Sequence, residues 1–182
     1  MNRAVKILSE FPPNVPMPDQ LRKLCDYLDD TGYPISGYMR LRPEGEALKA
    51  WFGPTSKAWK TLAGFGSGPD GSILAIWLYP GRDVHNAPIV HMGSEGNKLQ
   101  VIADDIGDFL RLFAIGYGEL GFDDLSLPPE EPASAQKLRD WLELEFGITP
   151  PSTGKDIVTR AKSNHPDFAA WVEDALNQRD GD

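Results

Sequence analysis

The sequence predicts an α+β fold, with a mostly antiparallel central sheet packed by helices and a docked helical C-terminal extension. Three observations carry that expectation. Short β-prone segments between about Lys57 and Ala103 are separated by glycine-rich turn chemistry, too closely for the dozen or more residues that a parallel crossover needs. A strongly amphipathic stretch follows them directly. Beyond Leu127-Pro128-Pro129-Glu130-Glu131-Pro132 the apolar residues switch to helical spacing.

Taken in order, residues 1 to 16 read as irregular, because Phe11-Pro12-Pro13 and Val15-Pro16 forbid continued helix, although Val5, Ile7 and Leu8 suit a short opening element. Asp19 to about Asp29 is predicted helical, with Leu21, Leu24, Cys25 and Leu28 on one stripe, and Thr31-Gly32-Tyr33-Pro34 stops it. Tyr38, Arg40 and Arg42 alternate with Met39 and Leu41 as in a strand, and Glu46 to Phe52 suits a short helix. Lys57 to Phe65 and Ser72 to Tyr79 are strand candidates. The second is apolar at nearly every position, as expected of a central strand covered on both faces.

Strands around Ile89 and Val101 flank a turn at Gly93-Ser94-Glu95-Gly96-Asn97. A helix from about Asp105 to Tyr117 follows. Asp104 or Asp105 suits its cap, Asp108 adds negative charge to its first turn, and Ile106, Phe109, Leu110, Phe113, Ala114 and Tyr117 share one face. In the tail, Ser134 is placed to cap a helix carrying Leu138, Trp141, Leu142 and Phe146. Lys155 to Ser163 and Pro166 to about Gln178 suit two more, the last bearing Phe168, Trp171, Val172 and Leu176. Two tryptophans in this tail require burial, so 1–127 is expected to form the main domain and 128–182 an extension packed on it as one globular unit.

Composition narrows the function classes. The 182 residues carry a formal charge of −9 and a pI near 4.8, which disfavours binding a nucleic-acid backbone, since that requires a basic face. The acid is concentrated between Glu95 and Glu131, where nine carboxylates face only Lys98 and Arg111. A basic protein is the better-matched partner, although such a window also serves a soluble, solvated face. No apolar run approaches the ~20 residues that span a bilayer, and no secretory segment follows Met1. A cytoplasmic protein with no membrane partner is expected. The single cysteine, Cys25, excludes an internal disulfide and reads as a buried thiol.

Catalytic and cofactor patterns are weak. Gly66-x-Gly68-x-x-Gly71 matches a dinucleotide motif literally, but a strand follows it where the chemistry needs a helix N-terminus. Ser152-Thr153-Gly154-Lys155 has the residue types of a phosphate loop in the wrong order. Asp83, His85 and His91 lack metal-ligand spacing, and a turn or capping role suffices for His165. Ser94 sits in a hairpin turn without the frame of a hydrolase elbow. Asp104, Asp105 and Asp108 are already explained by capping and the helix dipole. These readings predict no cofactor, no metal and no enzymatic activity.

The run from Gly68-Pro69-Asp70-Gly71 through Ala75-Ile76-Trp77-Leu78-Tyr79, Val90-His91-Met92-Gly93-Ser94-Glu95-Gly96 and Asp108-Phe109-Leu110 to Ile115-Gly116-Tyr117-Gly118 resembles the SUKH superfamily, which includes bacterial immunity proteins and fungal cell-wall-synthesis regulators. The resemblance implies an α+β fold and a role in binding and neutralising a cognate toxin, often a nuclease or deaminase. On that reading Asp104, Asp105, Asp108, Asp123 and Asp124 complement a basic toxin face. Trp77 and Tyr79, with Trp51 and Trp59, are the candidate aromatic anchors. A regulatory or scaffolding module is the alternative, and a small-molecule binder or enzyme a further one.

Overall fold

The computed structural model describes residues 2–32, 39–79, 81–96, 98–121, 123–131 and 135–179. Helices α1 (Arg3–Leu8) and α2 (Asp19–Thr31) lead to strand β1 (Arg40–Leu41) and helix α3 (Gly45–Phe52). Strands β2 (Leu62–Ser67), β3 (Ile73–Trp77), β4 (Ile89–Met92) and β5 (Leu99–Ala103) follow. Helices α4 (Ile106–Phe113), α5 (Gln136–Phe146), α6 (Lys155–Asn164) and α7 (Phe168–Arg179) complete the described elements. The expected residues Tyr38, Asn97 and Ser134 lie outside the described residues.

The five strands pair in sequence order, every pair antiparallel, as an up-and-down meander. Both faces are covered. Strand residues alternate between two apolar clusters, as their twofold side-chain period demands. Phe65, Leu74, Ile76, Ile89 and Ile102 pack with α1, α2, α4 and α5. Leu62, Ile73, Ala75, Trp77, Val90 and Val101 pack with α3 and α7. The α+β expectation therefore holds, and β3 is the buried central strand that its continuous apolar run implied.

Helix α6 supplies Ile157 and Val158 to the first cluster and Ala161 to the second. It therefore lies across the β5 edge of the sheet, where it packs closely on that strand. Covering an edge in this way hides backbone groups that would otherwise template aggregation. The tail is fastened elsewhere as well. Trp141 on α5 stacks on Tyr27 of α2 at 4.5 Å, Lys23 Nζ meets Glu145 at 2.5 Å, and Arg139 Nη1 donates to the carbonyls of Ala114 and Ile115 at 3.2 Å, just beyond the end of α4.

Several boundaries differ from the sequence expectation. Residues 3–8 are helical because Asn2 caps them, its side chain accepting from Val5 N–H. The strand expected from Lys57 starts at Leu62, since Ala58–Thr61 forms a 3₁₀ turn in which Thr61 Oγ1 donates to Ala58 O. The helix expected to reach Tyr117 ends at Phe113. Ala114, Ile115 and Tyr117 are still buried, carried by the turn that leads to Gly116 at φ +106°. Close packing of α3 on β2 depends on Gly64, where a Cβ would lie 2.8 Å from Glu44 Cβ and 2.9 Å from Leu48 Cδ1.

Candidate functional site

Three of the five candidate acids are committed to the fold. Asp105 is the N-cap of α4, its Oδ1 accepting the Asp108 N–H at 2.8 Å. Asp104 accepts from Arg160 Nε at 2.9 Å, and Asp108 is bridged by the same guanidinium and by Arg111. Asn164 Nδ2 donates to both Asp104 oxygens, and His165 Nε2 stands 3.2 Å from Oδ1. The Asp104 and Asp108 side chains are only 18% and 12% exposed. These three acids, named as partner-facing candidates, are thus engaged within the fold, and through Arg160, more than 50 residues away, Asp104 and Asp108 fasten α6 to the end of β5. His165 likewise does more than end a helix. It is buried, and desolvation lowers its basicity, with Arg82 acting in the same direction and Asp104 against it.

Asp123 and Asp124, by contrast, are exposed, on the segment 119–131. The described part of that segment has a defined shape. Asp123 Oδ2 accepts the Glu119 N–H at 2.9 Å, and Asp124 Oδ1 accepts both the N–H and the hydroxyl of Ser126 at 3.0 and 2.6 Å. Those Ser126 bonds hold the Asp124 carboxyl below its ordinary range. The Tyr117 hydroxyl pins the segment, lying 3.0 Å from the Leu125 carbonyl and 2.8 Å from that of Leu127 while it accepts the Gly154 N–H at 2.9 Å. Burial raises the phenol's pKa, keeping it a donor. Leu127, whose N–H donates to the Asp124 carbonyl, is 58% exposed.

The aromatic candidates divide. Trp77 is only 3% exposed and packs against Phe168, Trp171 and Tyr79, with ring centroids 5.0 to 5.5 Å away. It is a core residue locking α7 onto β3, which corrects its expected role as an interface anchor, and its buried indole N–H has no hydrogen-bond partner among the described residues. Tyr79, at 41% exposure, stacks on Trp77 and presents its outer face. Trp51 and Trp59 are half-buried.

Sequence reasoning treated His91 as an ordinary strand residue. It is 3% exposed, and its Nδ1 is buried without a hydrogen-bond partner among the described residues. Gly121 makes the room: a Cβ there would stand 2.5 Å from Nε2. Desolvation lowers the imidazole pKa, the Asp70 charge opposes that, and Lys98 acts both ways, its ammonium lowering it and its backbone hydrogen bond raising it. The adjoining cavity, lined by Met39, Asp70, Leu74, Leu120 and Gly121, has a volume near 10 Å³, about one water molecule. Asp70 already accepts from the Ser72 N–H and hydroxyl in the β2–β3 turn, so these three side chains are not arranged as a nucleophilic triad.

Gly66 lies in β2, and Gly68 to Gly71 turn the chain into β3, with no helix N-terminus where a dinucleotide would need one. Burial pushes the Cys25 thiol up to about 12, which makes it inert. Among the described residues no three His, Cys, Asp or Glu side chains converge to hold a metal ion, and no helix is long and apolar enough to cross a membrane. No protein-family model, curated protein or solved structure matches the chain.

Proposed function

We propose that this chain is a non-catalytic immunity protein, acting in the cytoplasm, that binds a cognate toxin with a basic face and occludes it. The observation that carries the reading is the acidic segment 119–131, where Asp123 and Asp124 are exposed around hydrogen-bonded turns and pinned from below by Tyr117. A surface already ordered loses less conformational entropy on association. Its charge steers an oppositely charged partner and enforces specificity, while exposed Leu127 offers apolar contact. The net charge of −9 supports a basic protein over a nucleic acid. The resemblance to the SUKH superfamily supports the same role.

Co-expression with the product of the adjacent gene tests it. Rescue of growth and co-purification of the two chains are expected, with both weakened by charge reversal at Asp123 and Asp124. An adjacent product that is harmless alone would turn the assignment to regulation or scaffolding. A toxic one that this chain neither rescues nor binds would overturn it.

A further inference from the structure

The imidazole of His91 lies under the start of the acidic segment. His91 sits on β4 between its register partners, Leu74 of β3 and Gln100 of β5. A Cβ at Gly121 would stand 2.5 Å from Nε2 and 2.7 Å from Cε1, so the backbone of the segment rests directly on the ring edge, where only glycine fits. Lys98 Nζ holds it there, donating to the Gly121 carbonyl at 3.1 Å. The neighbouring Leu120, 4% exposed, joins the core. Two further bonds carry the contact outward: Asp123 N–H donates to the Glu119 carbonyl and Glu119 N–H to Asp123 Oδ2, both at 2.9 Å. A shift of Gly121 off the ring is therefore passed to Asp123.

This enclosure suits a neutral ring. Protonation turns both ring nitrogens into donors, yet Nδ1 is buried with no acceptor among the described residues. The charged groups around the ring, among the described residues, are Asp70 from the β2–β3 turn, Lys98 just before β5 and Glu119 from the segment itself. Asp70 Oδ1 already accepts from the N–H and hydroxyl of Ser72. Desolvation outweighs the help that Asp70 and the Lys98 backbone give to the charged ring, so its basicity lies below the ordinary value and it is neutral at pH 7. The adjoining cavity, near 10 Å³, has room for about one water, too little to solvate a cation. The wall resting on the ring edge is 119–121, and lifting it admits the water that a cation needs. We propose that His91 is an acid-sensitive latch, whose protonation releases Gly121 and the Glu119–Asp123 turn, so that the acidic segment is ordered at neutral pH and loosened in acid. As a control on partner binding the latch rests on the immunity reading, but it is scored on the chain alone, so either can fail without the other.

Imidazole chemical shifts of the isotopically labelled full chain report the protonation of His91, and amide hydrogen exchange reports the segment, both followed from pH 7.5 to pH 5. Protection of the Glu119 and Asp123 amides, relative to an unfolded chain at the same pH, should fall about tenfold with the midpoint of the His91 ring. The Trp77 amide, bonded to the Pro88 carbonyl within the sheet, should keep its protection. His91→Gln should abolish the transition, although Glu119 and Asp123 retain their carboxyls. Gly121→Ala is the converse: its methyl group forces the segment off the ring, so both amides should exchange fast already at pH 7.5, and the solvated ring should titrate near its ordinary value of about 6.5. The proposal is overturned by a transition that survives in His91→Gln, by amides that stay protected or tighten as the ring is charged, by Trp77 losing protection in step with them, or by a Gly121→Ala protein in which both amides remain protected.

Discussion

Arg160 Nε stands 2.9 Å from Asp104 Oδ2, joining residues 56 positions apart and closing α6 over the end of the sheet. The same guanidinium reaches Asp108, so one cation on α6 bridges two carboxylates that the family resemblance had assigned to a partner. Asp104→Asn should therefore cost about 1–2 kcal/mol of stability with no partner present, the arginine being half-exposed and its contribution screened by solvent. Urea denaturation measures it, and an unchanged midpoint would show the cluster to be energetically idle.

Phe113 is fully buried and stacks on Phe109 at 5.6 Å, which in turn meets Phe65 on β2. Phe113→Ala should cost about 3–5 kcal/mol, the range for removing a large aromatic from a core that cannot collapse around the void. Loss of less than 1 kcal/mol in chemical denaturation would contradict the packing of α4 described above.

Tyr117→Phe removes one oxygen and keeps the ring. The buried Gly154 N–H then loses its acceptor, and the cost should be about 1–3 kcal/mol. Faster hydrogen exchange is expected at the Gly154 amide, together with looser order across 119–131 and slower association with any partner read by that segment. Exchange unchanged from the parent protein would show that the segment is held by other contacts.

Paired Asp123→Asn and Asp124→Asn changes should slow association with a basic partner and flatten its dependence on salt, while dissociation changes less, because both acids are exposed. Stopped-flow association at two ionic strengths separates this from the 104–108 cluster, whose substitution acts through stability. Rates indifferent to both salt and substitution would remove electrostatics from recognition.

Burial depresses the pKa of His91 and His165, so the unfolded chain binds more protons than the folded one as pH falls below about 6.5. Their contribution is complete above that value and is lost as pH falls through the lower folded pKa values. The melting temperature should drop between pH 7 and pH 5. His91→Gln should flatten part of that slope. A slope equal to the parent protein's would place the acid sensitivity elsewhere.

Strand and helix type, the antiparallel sense of the sheet, the cap at Asp105 and the apolar face of α4 were legible in the sequence, because each rests on periodicity or capping within a few residues. Boundaries such as Leu62 and Phe113 were less so, since local turn bonds compete with the periodic signal there. The roles of Asp104, Asp108, Trp77 and His91 were decided by tertiary structure. Arg160 reaches the two acids across more than 50 residues, Phe168 and Trp171 close over Trp77 from the far end of the chain, and Gly121 opens room for an imidazole on a neighbouring element. Chain connectivity carries no local trace of such pairings, and whether a charge is spent inside the fold or left for a partner depends on which distant side chain arrives beside it.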